Sequence, residues 1–183
     1  MTEKSIKIII AMGSNIDQEA HIEQAKALLC SHFRDLRFSS PLWTEPIGLP
    51  GSDKFLNMVA VGYAPVSDGK AQASDGKEQA SDGKAQVYEG KAQVYEGKTQ
   101  VETILKEIED RCGRIRGERA KNEALKDDES KEMVARDLVV KEMVARNLVA
   151  MDLDLLLYGD EVCHSRDWER DYIKKSLSEL GIS

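Results

Sequence analysis

Asp152 and Asp154 stand two residues apart in the run Met151-Asp152-Leu153-Asp154-Leu155-Leu156-Leu157-Tyr158. Along a strand side chains alternate faces, so the two carboxylates project from one side, about 7 Å apart by the strand rise. Met151, Leu153, Leu155 and Leu157 then point the other way, into a core. Paired carboxylates on a rigid element suit hard cations. Magnesium takes one or two carboxylates and completes its shell with water and phosphate oxygens, so the pair points towards phosphate chemistry. An edge strand with a wet outer face carries the same Asp-x-Asp pattern. In Arg111-Cys112-Gly113-Arg114-Ile115-Arg116 a helix-ending glycine precedes two arginines that alternate with an apolar residue. Two guanidiniums on one side of an extended segment suit bidentate contacts to phosphate. A basic helix C-terminus complementing the macrodipole accounts for them equally well.

The loop Thr44-Glu45-Pro46-Ile47-Gly48, with Phe55-Leu56-Asn57 after it, offers an aromatic face, an amide and exposed backbone. A flat heterocycle needs those groups, for stacking and for hydrogen bonds at its edge. Phe55 as core and Asn57 as a strand-start residue are the plainer alternatives. Other chemistries find no support. Gly13-Ser14-Asn15 is too short for a phosphate loop, and His21, His32 and His164 are scattered. Cys30, Cys112 and Cys163 show neither metal-ligand spacing nor a disulfide framework, which suggests a reduced, cytoplasmic setting. A net charge of -7 argues against a dedicated nucleic-acid binder. The apolar run over residues 6–12 is too short to span a membrane.

These residues need a scaffold, and 183 residues with 41% hydrophobic content suffice for one domain with a core. The isoleucine run at 6–12 reads as a buried strand. Ser14 or Asp17 could cap the helix that follows, in which Ile22, Ala25, Leu28 and Leu29 share a face to about Ser31. Residues 36–43 read as a strand broken at Pro41, 44–54 as a loop and 55–63 as a strand. Val101, Ile104, Leu105, Ile108 and Cys112 mark a second helix, and 148–158 the last strand. The order βαββαβ is the α+β, ferredoxin-like arrangement: an antiparallel sheet with helices on one face. Two repeats interrupt it. Residues 67–101 hold five copies of a heptad of the type SDGKAQA, and residues 131–150 two copies of a ten-residue unit, KEMVARDLVV then KEMVARNLVA. A glycine in every heptad opposes a helix, so that segment reads as a surface insertion. The expected organisation is one domain over 1–163, with insertions at 67–101 and 117–147, then an amphipathic tail over 164–183.

In chain order, several blocks resemble the 6-hydroxymethyl-7,8-dihydropterin pyrophosphokinase family of folate biosynthesis. They are Ala11-Met12-Gly13-Ser14-Asn15, the stretch from Ser39 to Gly48, Phe55-Leu56-Asn57, Ile108-Glu109 with Gly113-Arg114-Ile115-Arg116, and the stretch from Met151 to Asp160. The resemblance covers residues 6–63, 101–119 and 147–163. It implies transfer of the terminal diphosphate of ATP to the pterin hydroxymethyl oxygen, with release of AMP. By the same resemblance Asp152 and Asp154 hold a magnesium pair that bridges the phosphates, and Arg114 and Arg116 contact those phosphates. Thr44, Ile47, Phe55 and Asn57 would line the pterin slot, with Phe55 stacking, and Glu109 and Leu155 would lie beside the nucleotide. Residues 117–147 take the place of a loop that closes over the substrates. The implied partners are ATP and the dihydropterin, with no nucleic acid and no membrane.

The chain also departs from the family pattern. The loop has no Trp, and Val149 stands where an arginine is usual, three residues before the first metal aspartate. The family's Pro-His and Arg-Phe segments are replaced by the stretch from Arg166 to Tyr172, in which Trp168 and Tyr172 read as packing residues. These departures motivate one alternative, a ferredoxin-like module that binds pterin or nucleotide with impaired catalysis.

Overall fold

The computed structural model describes residues 4–46, 53–66, 97–114 and 148–182. Ile47, Arg116, the heptad stretch at 67–96 and residues 117–147 lie outside the described residues, while the end of the fifth heptad, expected within the insertion, is helical from Lys98. The central strand, β1 (Lys4–Ser14), pairs antiparallel with β4 (Phe55–Val66) on one side and with β5 (Asp152–Tyr158) on the other. β2 (Arg34–Phe38) and β3 (Leu42–Thr44) lie along the far edge of β4, and β6 (Glu161–Val162) pairs with β5. The result is an α+β fold around a six-stranded antiparallel sheet of order β2-β4-β1-β5-β6, with β3 beside β4.

The isoleucine run explains why β1 sits in the middle. Ile8, Ile9 and Ile10 are each at most 1% exposed, and full burial of such a side chain contributes about 1.5–3 kcal/mol. Ile8, Ile10 and Met12 face α1 (Gln18–His32) and α2 (Lys98–Arg111), whose apolar positions Ile22, Ala25, Leu29, Val101, Leu105 and Ile108 pack there as their spacing predicts. Ile9 and Ala11 face the opposite side, with Val59, Val61 and Leu156. There the expectation of helices on one face is corrected. The tail folds into α3 (Asp171–Glu179) and covers the second face with Ile173 and Leu177. A sheet whose central strand is apolar on both sides exposes one of them unless something packs there.

Three local expectations also change. The strand over 36–43 breaks at Pro41 as expected, because Pro41 has no N–H to pair, but its two parts run from Arg34–Phe38 and Leu42–Thr44 rather than within 36–43. Ser39 bridges the gap: its N–H donates to Val59 O at 2.9 Å, and its Oγ accepts from Val59 N at 3.0 Å. Asp17 occupies the N-cap of α1 in a left-handed conformation (φ 44°) without a side-chain cap, and Ser14 Oγ donates instead to Ile16 O at 2.9 Å. The last strand begins at Asp152 rather than 148, and its alternation breaks where Ile9 pairs with Leu157 but Ile10 with Leu155. Alternation alone puts Leu156 on the α3 face with Asp152 and Asp154, and the bulge brings Leu157 to that same cluster, so Leu157 does not share the core of Met151, Leu153 and Leu155. Among the described residues no helix is long and apolar enough to cross a membrane.

Candidate functional site

On the α3 side of the sheet the side chains shrink towards one end of β1. Ile9 fills the interface with α3, but two residues on stands Ala11, and after it Gly13. Gly13 pairs with Asn57 on β4 and with Asp152 on β5, and Ala11 pairs with Asp154. The missing side-chain volume leaves a cleft of about 380 Å³ lined by Thr44, Phe55, Asn57, Asp152, Asp154 and Tyr172, with Glu45, Arg170 and Asp171 beside them. A Cβ added at Gly13 would come within 2.6 Å of Asn57 Oδ1, so glycine is required here by close approach rather than by its dihedrals.

One wall is flat and polar at its edge. Phe55 is only partly buried and faces the cleft, while Asn57 is 7% exposed and donates through Nδ2 to Thr44 Oγ1 at 2.7 Å. That bond ties β3 to β4 and fixes the amide plane. The opposite wall carries the carboxylates. Asp152 pairs with Arg114, Nη1 to Oδ1 at 3.1 Å, and the same Nη1 donates to Met151 O at 3.2 Å. Asp154 lies deeper. Burial pushes its carboxyl up from the ordinary carboxylate range, the charge of Asp152 adds to that, and His164 and Arg170 oppose it.

The end of α2 holds β5 in place. Gly113, with φ 86°, stops the helix, and Arg114 leaves with its N–H donating to Glu109 O at 2.9 Å. The buried Glu109 accepts from Leu153 N at 2.8 Å, between the two aspartates. The Gly13-Ser14-Asn15 turn does the same from β1: Asn15 N donates to Val149 O at 3.0 Å, and Val149 N donates to Asn15 Oδ1. The turn is thus a brace for the segment entering β5. A second cleft of about 290 Å³ opens on the far side of β5, lined by Glu102, Lys106, Glu109, Leu155 and His164, and Asp154 lines both clefts.

Of the residues singled out from the sequence, Thr44, Phe55, Asn57, Asp152 and Asp154 therefore share one cleft, with Arg114 at its rim. Glu109 and Leu155 line the second cleft. Ile47 and Arg116 lie outside the described residues. Sequence reasoning missed the contribution of the tail. Arg170 caps α3 and pairs with Asp167 at 2.8 Å, and Arg170, Asp171 and Tyr172 close the first cleft. Burial raises the Tyr172 phenol, with Arg170 opposing. Trp168 is a packing residue as expected, its Nε1 donating to Cys163 O at 3.1 Å and its ring set against the core under α3.

Among the described residues no group of three or more His, Cys, Asp or Glu side chains could hold a metal unaided. Two carboxylates on one strand face, with the rest of the shell left to water or ligand oxygens, are a donor set that fits magnesium and not structural zinc. No protein-family model matches the chain, and no curated protein matches it.

Proposed function

We propose that this chain transfers the terminal diphosphate of Mg-ATP to the hydroxymethyl group of 6-hydroxymethyl-7,8-dihydropterin, releasing AMP, on a ferredoxin-like fold in the cytoplasm. The observation that carries this reading is the position of Asp154, which lines both clefts. A transfer between two bound substrates needs such a boundary, with cation ligands on it. The fold assignment is supported by the strand order. With β3 counted as a continuation of β2, the order is second, third, first, fourth, and α1 and α2 share a face.

In this reading the pterin ring stacks on Phe55 and meets the fixed edge of Asn57 and Thr44, while the nucleotide lies against Glu109 and Leu155. Asp152 and Asp154 would hold magnesium, which supplies neutralisation of the phosphate charge. Arg170, Arg114 and, by resemblance, Arg116 take phosphate oxygens, and Ile47 completes the pterin slot. The hydroxymethyl oxygen attacks the β-phosphorus, the bond from that phosphorus to the α–β bridging oxygen breaks, AMP departs and the hydroxyl proton passes to solvent. Such a reaction requires positioning and charge compensation rather than a covalent protein nucleophile. Incubation with Mg-ATP and the hydroxymethyl pterin, with chromatographic detection of AMP, tests it. Equal AMP from wild type and from a D152A/D154A variant rejects it.

One observation favours a second reading, a pterin-binding module without catalysis. Arg114 is already engaged by Asp152 and by Met151 O. Calorimetry that finds pterin binding but no magnesium-dependent ATP affinity selects that reading.

A further inference from the structure

We propose that Glu179, remote from the reacting groups, is a positioning residue that holds the two side walls of the first cleft in register; the functional half of this inference rests on the diphosphate-transfer reading. β3 is three residues long and pairs with β4 alone. It brings Thr44 to Asn57, yet the chain that leads into it, Ser39-Ser40-Pro41, is outside any regular ladder. The Glu179 carboxylate fixes that chain. Oε1 and Oε2 accept from Ser40 N at 3.0 and 3.1 Å, and Oε1 also accepts from Ser40 Oγ at 2.7 Å. One residue further on, Leu180 O accepts from Arg37 Nη1 at 3.1 Å, which ties in β2 as well.

Glu179 ends the same nine-residue helix whose first residues, with the capping Arg170, line the cleft. A helix of that length is a rod about 13 Å long. One end carries Arg170, Asp171 and Tyr172 into the cleft, and the other grips the approach to Thr44. The α3 side of the cleft and the approach to Thr44 are therefore joined by a single rigid element, and Glu179 does not line the cleft that holds the carboxylates. The second cleft, built by α2 and β5, has no part in this latch.

The test compares E179A, E179Q and S40A by hydrogen exchange and by kinetics. Gln keeps an acceptor at Oε1 and so two of the three bonds, Ala keeps none, and S40A loses only the hydroxyl contact. In E179A the amides of residues 38–46 should exchange faster while those of β1 and β5 keep their protection. KM for the pterin should rise about tenfold with KM for ATP within about twofold, since misplacement of a wall by a fraction of an ångström is felt by the ligand that touches it. E179Q and S40A, which each lose one of the three bonds, should both keep pterin KM within about threefold of wild type. Unchanged exchange at 38–46 in E179A overturns the latch, whether or not the protein transfers diphosphate. Faster exchange with an unchanged pterin KM, or with an equal rise for both substrates, overturns the positioning role. Should wild type release no AMP, calorimetric pterin affinity replaces KM; absence of pterin binding by wild type overturns the transfer reading and the positioning role together, and the exchange arm still judges the latch.

Discussion

Substitution of Gly13 by Ala inserts one methyl at the narrowest point of the site, and its effect can be worked from the geometry. The new Cβ would lie 2.6 Å from Asn57 Oδ1, whereas ordinary contact begins at 3.4 Å, so the amide must retreat by about 0.8 Å. Asn57 cannot shift its backbone, because Gly13 and Asn57 are register partners in the central ladder. The retreat therefore falls on the side chain, away from β1 and towards β3, and crowds and misaligns the Nδ2 bond to Thr44 Oγ1, already at 2.7 Å. Overpacking costs about 1–3 kcal/mol and a weakened buried hydrogen bond about 0.5–1.5 kcal/mol. Reduced freedom of the unfolded chain returns about 0.4–1 kcal/mol. A net loss of about 1–3 kcal/mol should lower the melting temperature by roughly 3–10 °C for a domain of this size. Pterin affinity by calorimetry should fall about tenfold to a hundredfold, because the recognition edge itself has moved. The second arm is N57A in the G13A background, which removes the clashing atom and should recover stability relative to G13A alone. Wild-type melting and pterin affinity in G13A, or strictly additive losses in the double variant, would refute the reasoning.

Ser176 Oγ is the one buried side-chain polar atom among the described residues with no hydrogen-bond partner there, so S176A should stabilise by about 1 kcal/mol in thermal melts; a lower melting point would show that the hydroxyl is satisfied. Burial first, and then Arg111, lowers the His32 pKa in the folded state, with Glu107 opposing. The unfolded chain thus binds more protons, and this contribution to stability is lost as pH falls through the unfolded value near 6.5, so H32Q should melt closer to wild type at pH 8 than its advantage at pH 5. A pH-independent difference would contradict this. R114Q releases Asp152 and should strengthen magnesium binding without nucleotide, read as a larger magnesium-dependent thermal shift, while AMP formation falls; D154N should abolish the shift. An R114Q shift smaller than wild type would count against a cation site at this pair.

Periodicity made much of the scaffold legible. Ile22, Ala25 and Leu29, and Val101, Leu105 and Ile108, bury as their spacing demands. Asp152 and Asp154 share a face because a period of two survives any uncertainty in strand ends. The break at Pro41 was visible too, but not that Ser39 would bridge it to Val59. The bulge at Leu156 was invisible, since one extra residue in a leucine run changes no local pattern. The docking of α3 was the larger omission, and a signal for it existed. An unbroken run from Ile8 to Ile10 demands cover on both faces, and two helices on one face would leave Ile9, Val59 and Val61 bare. The tail supplied the needed stripe, but its few apolar residues do not name their partner surface.

That omission hid the chemistry of the tail, for the cleft exists where the cover of α3 gives out. Along one face of β5 the environment changes within five residues. Leu156 is sealed under α3, Asp154 is partly buried, and the Asp152 side chain is 43% exposed. The two carboxylates look equivalent in sequence but differ in what compensates them. Asp152 has an arginine at 3.1 Å, whereas Asp154 has the more distant charges of His164 and Arg170 against its own burial and its neighbour's charge. A cation entering the cleft relieves Asp154 more than Asp152, because at Asp152 it must displace a guanidinium already in place. In the proposed magnesium reading the deeper aspartate, which lines both clefts, would therefore be the principal ligand, and the outer one the adjustable partner that Arg114 can hold or release.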